Sequence, residues 1–273
     1  MRNSFIYFYC CLIISLSFST CQSDSKNEAE QTDIPKAIED TLYIATGSEM
    51  GYVAQVLAQT FTLDHPTPYK VQIIGGEDLF QQIQKDTRFD FIFSTDQALL
   101  DQLYKAGLSP DAPFDLAYGK LVLWTTQTGF MPDLVALRSP TINLVAVPDP
   151  KTTAYGLVAL SILEKEQLMD FLGSRLVYQD DLSQTNQLIN SGEVSIGFTS
   201  KSMLLSPQYT EVGSWIEVDD RLYDPVPHQF MRLHKTDVDH PLAATFEQFV
   251  KSQRVKDILA NFGYLPNGLL GNN

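Results

Sequence analysis

The chain has few cysteines and few cationic residues, and each shortage excludes a class of function. Its three cysteines, Cys10, Cys11 and Cys21, all lie at the N-terminal end of a chain of 273 residues, so we expect neither a disulfide nor thiol chemistry in the folded part. Nineteen Lys and Arg residues stand against 33 Asp and Glu residues, which gives a formal net charge of −14. This charge argues against nucleic acid or an anionic membrane surface as a partner. An anionic ligand would have to be held by local amides and helix dipoles.

Recurrent catalytic and metal-binding patterns are also missing. The chain has no GxSxG nucleophile elbow, no GxxxxGK[ST] phosphate loop and no cysteine–histidine zinc pattern. The adjacent carboxylates Asp180 and Asp181 fit an ordinary helix start, where they complement the helix dipole. Four histidines lack the spacing of a metal site and are predicted to be surface or linker residues: His65, His228, His234 and His240. We therefore predict neither an enzyme nor a metal site.

The first forty residues are predicted to lie outside the fold. Arg2 precedes an apolar run, Phe5 to Phe18, which is too short for a stable membrane-spanning helix and has the proportions of a secretory signal. The run ends in FSTC, which resembles a bacterial lipoprotein processing site. We predict a signal peptide at residues 1–20, lipidation of Cys21, and a polar, disordered tether at residues 21–39. The alternative is a cleaved secretory peptide without lipid. Either reading places the protein in the periplasm or cell envelope.

From Thr41 onward, short apolar strands alternate with helical patterns. The strand TLYIATGS is followed by apolar residues at helical spacing, YKVQII by Gly75-Gly76 and a helix, and FDFIF by Ser94-Thr95-Asp96 and a helix. A further strand precedes the segment PDPKTTAYG. This alternation predicts an α/β fold with mainly parallel sheets and right-handed crossovers. Ligands of such sheets bind beyond the carboxyl ends of the strands.

Two of these junctions are candidate parts of an anion site. Ser48 and Gly76 each stand where a strand turns into a helix, so unpaired N–H groups and the positive end of a helix dipole face outward there. A structural role is the alternative at both positions, because Ser48 is a good N-cap and Gly76 fits a plain glycine turn.

The ordered series of junctions resembles the periplasmic molybdate-binding proteins of ABC transporters. The resemblance rests on ATGSEMGYVAQVLAQTF, IIGGEDLFQQIQ, FDFIFSTDQALLDQL, INLVAVPDPKTTAYGLVAL, YQDDLSQTNQLINSGEVSIGFTS and YDPVPHQFMRL, and it runs from about residue 40 to residue 266. It implies a two-lobed, type II periplasmic binding protein fold. One lobe would comprise residues 40–119 and 229–273, and the other residues 120–228. Gly119–Leu121 and Tyr223–His228 are the hinge candidates.

The resemblance also implies the ligand-binding residues. Ser48 corresponds to a serine that binds an oxyanion by its hydroxyl and N–H. Gly76 stands where the family has a second serine, so only its N–H remains. Tyr155 and Leu182 correspond to backbone N–H donors, and Ser200 replaces a tyrosine hydroxyl. In an alternative arrangement, the Tyr155 hydroxyl supplies the missing donor.

The implied function is capture of molybdate or tungstate without any cofactor and delivery to an ABC permease. The protein would act as a monomer that touches the lipid membrane only through Cys21. Cavity size would separate these ions from the smaller sulfate. One alternative is the same fold serving another anion or a small organic acid. Another is an exported enzyme, which would require Asp180 or Asp181 to approach Ser200 across the cleft.

Overall fold

The computed structural model describes residues 41–74, 76–85, 88–234 and 239–267. These residues belong to one compact unit, Glu39–Asn273. The predicted signal peptide, Cys21 and the whole predicted tether lie outside the described residues. No helix in the described ranges is long and apolar enough to cross a membrane.

Strands and helices alternate along most of the chain, as the apolar periodicity predicts. The strands are β1 (Leu42–Thr46), β2 (Tyr69–Ile73), β3 (Phe91–Ser94), β4 (Phe114–Gly119), β5 (Leu121–Thr125), β6 (Val145–Pro148), β7 (Leu176–Gln179), β8 (Ile196–Ser200), β9 (Ser214–Glu217), β10 (Val226–Arg232) and β11 (Leu265–Pro266). The helices are α1 (Gly51–Asp64), α2 (Gly76–Lys85), α3 (Gln97–Lys105), α4 (Ala154–Lys165), α5 (Met169–Leu172), α6 (Leu182–Asn190), α7 (Lys201–Leu204), α8 (Ala243–Val250) and α9 (Gln253–Asn261). A short 3₁₀ turn, Ser48–Met50, joins β1 to α1.

The strands form two sheets. The first sheet has the order β11-β4-β10-β3-β1-β2, and the second has the order β7-β6-β8-β5-β9. Both are mixed, so the expectation of mainly parallel sheets is corrected. β1 pairs in parallel with β2 and β3, and β6 pairs in parallel with β7 and β8, because helices carry the chain back between these strands. The chain returns from the second sheet to the first at β10. This strand runs antiparallel to both of its neighbours, β3 and β4.

Each sheet buries its central strands against helices. In the first sheet, Phe91 stacks on Phe230 of β10, and Phe246 of α8 packs against both Phe91 and Phe61 of α1. β3, β5 and β8 are buried along their whole length, which explains why their sequences are nearly continuous apolar runs. This packing fixes the strand ends on which the site is built.

The chain passes between the two sheets at two places. Lys120 alone separates β4 of the first sheet from β5 of the second, and the return lies between β9 and β10. β10, Val226–Arg232, lies wholly in the first sheet. The lobe boundaries given above stay a prediction.

The prediction of surface or linker histidines is wrong for two of the four. His240 is buried, and its Nδ1 accepts a hydrogen bond from the Leu242 N–H. His228 is fully buried on β10, where its ring meets the rings of Tyr155 and Tyr264 edge-on. The alternation of β10 turns His228 inward, and neighbours from distant parts of the sequence enclose it.

Candidate functional site

The carboxyl ends of five strands meet around one cavity of about 50 Å³. This space exceeds the roughly 10–15 Å³ that one water requires, so the cavity has room for a small polyatomic ligand. We call its two sides the first-sheet wall, formed by residues that end or follow β1, β2 and β3, and the second-sheet wall, formed by residues that follow β6 and β7. The lining comprises residues 47–49, 73–74, 79, 94–96 and 99 from the first sheet's side, and residues 152–153, 155 and 180–182 from the second's.

In the first-sheet wall, the Ser48 hydroxyl has no hydrogen-bond partner among the described residues. Ser48 opens the 3₁₀ turn after β1, and no side chain caps this turn. Its Oγ atom is buried and makes no hydrogen bond to any described residue. A buried hydroxyl without a partner is costly, and native structures rarely keep one without a reason. Ser48 is therefore not the cap of this turn, and its hydroxyl is free to bind a ligand.

In the second-sheet wall, the polar side chains are already occupied as helix caps. The Thr153 hydroxyl accepts from the Gly156 N–H at 2.9 Å, and Asp181 Oδ1 accepts from the Gln184 N–H at 2.8 Å. These bonds fix the starts of α4 and α6. The N–H groups of Tyr155 and Leu182 lie in the first helical turns, where helix geometry provides no intrahelical acceptor. This wall thus offers backbone donors and two positive helix ends.

Glu49 is a cavity residue that the sequence reading missed. Its side chain lies against Gly47, and its Oε1 is 3.4 Å from the Thr95 hydroxyl, which donates to it. Burial raises the pKa of Glu49 above its usual value, hydrogen bonds from its own N–H and Thr95 oppose the rise, and the charge of Asp181 adds to it. An acid at a helix start ordinarily serves as a partner of the helix dipole, so Glu49 did not stand out in the sequence. Its place directly after Ser48 was the available signal.

The cavity lining is acidic. Glu49 is joined there by Asp96, Asp180 and Asp181, and no Lys or Arg in the described ranges lines the cavity. An anion in this cavity would meet N–H and O–H donors and no described cation. Such binding avoids the cost of desolvating a partner cation. The carboxylates of the lining, however, would repel an anion if they were ionised.

The five predicted ligand-binding positions do not all meet. Ser48, Tyr155 and Leu182 line the cavity. Gly76 begins α2 after β2, but its surroundings lie outside what the structure describes. Ser200 is fully buried away from the cavity lining, where its hydroxyl caps α7 by accepting from the Met203 N–H and lies 3.1 Å from the Ser202 hydroxyl. The role of Ser200 stays a prediction that this placement does not favour.

The Tyr155 hydroxyl is engaged at the crossover between the sheets. It lies 2.9 Å from Nε2 of His228, beside Gly119 at the end of β4. Burial lowers the pKa of His228 to about 3, so its ring is neutral, and burial raises the pKa of Tyr155 well above its usual value. The alternative in which this hydroxyl replaces a missing ligand donor gains no support from the geometry.

Comparison with known proteins identifies relatives. A family model described as "Bacterial extracellular solute-binding protein" matches residues 42–265. The molybdate-binding protein ModA of Azotobacter vinelandii is 28% identical over 192 residues, which cover 70% of this chain and 75% of the relative. ModA of Rhodobacter capsulatus is 27% identical over 187 residues, which cover 68% and 73%.

Solved structures agree on the fold. The periplasmic molybdate-binding protein of Azotobacter vinelandii superposes with a TM-score of 0.74 at 22% identity, covering 82% of this chain and 98% of that one. This likeness confirms the predicted two-lobed fold.

Proposed function

We propose, from the premise that this chain belongs to the family of bacterial extracellular solute-binding proteins, that it captures a tetrahedral oxyanion of the molybdate class and delivers it to an ABC permease. The names of its relatives support molybdate as the ligand. Tungstate has the same charge and shape, so we include it in the proposed ligand class.

One observation carries this proposal: the buried, unpartnered Ser48 hydroxyl faces a cavity whose opposite wall presents the starts of α4 and α6. Neutral donors fixed at helix starts replace the hydration shell of an anion. Each charge-assisted hydrogen bond contributes about 1.5–3 kcal/mol. Five to seven such bonds are enough for submicromolar capture.

Ligand release requires the two sides of the cavity to separate. We place the hinge at the two passages between the sheets, near Gly119–Leu121 and Tyr223–His228, with lobes at residues 40–119 plus 229–273 and at residues 120–228. Closure about such a hinge is a common domain motion. In the same proposal, a lipidated Cys21 and the tether hold the monomer at the membrane, within reach of the permease.

Isothermal titration calorimetry on residues 40–273 tests the ligand assignment. We expect molybdate and tungstate to bind with submicromolar affinity and sulfate to bind more weakly, because a smaller ion leaves donors unfilled. Absence of heat with molybdate, tungstate, sulfate and phosphate at every pH tested would refute the oxyanion proposal.

Glu49 favours a second candidate, the same fold serving another anion or a small organic acid. A carboxylate in the lining matches a ligand that itself carries a donor, such as a hydroxy acid or hydrogenphosphate. A thermal-shift panel that includes these compounds beside molybdate separates the two candidates. An exported enzyme has less support, because no described hydrogen bond joins Asp180 or Asp181 to Ser200.

A further inference from the structure

The Glu49 carboxyl group belongs to the cavity in which we propose that the anionic ligand binds. It follows Ser48 directly, it lines the same cavity, and the Thr95 hydroxyl is 3.4 Å from its Oε1. The backbone of Glu49 is also held in place, because its carbonyl accepts hydrogen bonds from the Tyr264 hydroxyl at 3.1 Å and the Ser202 hydroxyl at 3.4 Å. The carboxyl group is therefore held in the cavity wall by the surrounding structure.

No described residue of the cavity lining carries a positive charge that would neutralise Glu49. Thr95 and Asp96 face it from the end of β3, Asp180 and Asp181 from the start of α6, Tyr155 from α4, and Tyr264 from the segment before β11. Among the described residues of the lining, none is cationic. An ionised Glu49 beside a bound dianion would place like charges together in a poorly solvated space, which strongly disfavours the doubly charged arrangement.

We propose that Glu49 makes ligand capture proton-linked: the complex holds one proton between the Glu49 carboxyl and an oxygen of the bound oxyanion. This inference rests on the proposed function, since it concerns the same cavity and the same ligand class. No covalent bond to the protein forms. The free anion, one proton and the open site combine, and the proton leaves with the ligand when the site opens.

The source of the proton separates two kinds of oxyanion. Molybdate, tungstate and sulfate carry no proton near neutral pH, so each must take one from solution to bind beside an ionised Glu49. Hydrogenphosphate brings its own proton and donates it to the ionised carboxylate. Glu49 is thus a specificity-determining residue, and the relative affinities for these oxyanions change with pH.

Proton uptake can be counted directly. Calorimetry of wild-type residues 40–273 with molybdate, in buffers of different ionisation enthalpy at about pH 6 to 8.5, gives both affinity and proton number. Where Glu49 is ionised in the free protein, we expect uptake of one proton and a roughly tenfold loss of affinity per pH unit. The pH at which this slope begins reports the pKa of Glu49.

The variant Glu49→Gln supplies a donor that does not titrate. Its amide N–H₂ donates to molybdate at any pH, so we expect tighter binding than wild type at about pH 8 and a flat pH profile. Hydrogenphosphate loses the ionised acceptor and should bind more weakly. Glu164→Gln removes the same charge from an exposed position on α4, well away from the cavity, and should behave as wild type.

Molybdate binding by wild type with no proton uptake and no pH dependence would overturn the proton link and leave the oxyanion assignment standing. Wild-type binding that keeps its pH dependence in Glu49→Gln would overturn the assignment of the proton to Glu49. If neither protein bound any oxyanion at any pH, the proposed function itself would fail, and the proton link with it.

Discussion

The two walls of the cavity are built from the same strand–turn–helix unit but use their polar side chains differently. In the second-sheet wall, Thr153 and Asp181 are occupied as caps, so the hydrogen-bond donors that this wall offers to a ligand are backbone N–H groups. In the first-sheet wall, the turn after β1 has no side-chain cap, and both Ser48 and Glu49 contribute side-chain groups to the lining.

This difference separates two tasks that one junction would otherwise combine. The helix starts of the second-sheet wall supply fixed positive partial charges beside the carboxylates of Asp180 and Asp181. The first-sheet wall supplies a hydroxyl and a carboxyl, and we expect their geometry and protonation to distinguish one anion from another. Specificity is therefore expected to depend on the turn after β1, and stability of the wall on the caps opposite.

The largest effect on ligand affinity is expected for Ser48→Ala. Loss of one hydrogen bond to a charged ligand, about 1.5–3 kcal/mol, predicts roughly a tenfold to hundredfold weaker affinity for molybdate by calorimetry. Because the Ser48 hydroxyl has no described protein partner, the melting temperature without ligand should not fall. Ser161→Ala in α4 is the control and should change neither quantity. An unchanged affinity in Ser48→Ala would show that the two walls do not differ as described.

Gly119→Ala tests how the second-sheet wall is attached to the crossover. A Cβ at this position would overlap the Tyr155 hydroxyl and lie 2.8 Å from Nε2 of His228. Overpacking of buried rings predicts a loss of about 1–3 kcal/mol in the free energy of unfolding, measured with urea. In a Tyr155→Phe background the overlap with oxygen disappears, so the cost should fall. Equal costs in both backgrounds would contradict the close approach.

Acid should weaken the crossover through His228. The pKa of this buried ring is lowered to about 3, from 6.5 when unfolded, so the unfolded chain binds the extra proton first as the pH falls. Stability is therefore lost between about pH 6.5 and pH 3, with a slope of up to about 1.4 kcal/mol per pH unit. Urea unfolding of wild type and His228→Asn across this range isolates the contribution. Identical slopes in wild type and His228→Asn would contradict this assignment.

The smallest effect is expected for Thr153→Ala, which removes a cap from the second-sheet wall. Loss of an N-cap costs about 1 kcal/mol of stability. Affinity for molybdate should change less than in Ser48→Ala, because Thr153 already bonds to Gly156. Thr153→Ser keeps the hydroxyl and serves as the matched control in thermal melts. A larger loss of affinity in Thr153→Ala than in Ser48→Ala would reverse the comparison of the two walls.

Much of the fold could be predicted from local sequence pattern. Continuous apolar runs marked β1, β3 and β5, and helical spacing marked α1 and α3. The antiparallel direction of β10 could not be predicted from local sequence. It depends on pairing with β3 and β4, which lie more than a hundred residues away in the chain. Burial of His228 depends on the same long-range pairing.

Part of the site could be predicted from the sequence. The strand-to-helix junction after β1 pointed to Ser48, and the family resemblance implied Tyr155 and Leu182 as backbone donors; the structure brings all three to the cavity lining. Side-chain direction was less accessible. Glu49 matched a common pattern of acids in first turns, and nothing in its neighbours' sequence shows that its carboxyl lies against Gly47 in the cavity.

Tyr155 lies both in the cavity lining and at the passage of the chain between the two sheets. Its backbone lies at the start of α4, in the cavity wall. The hydroxyl at the far end of its side chain contacts Nε2 of His228 and lies beside Gly119. Under the proposed function, a hinge motion that carries this amide away from a bound ion would also move the ring against Gly119 and His228. We therefore expect ligand release to be coupled to the contact between Tyr155 and the strands β4 and β10.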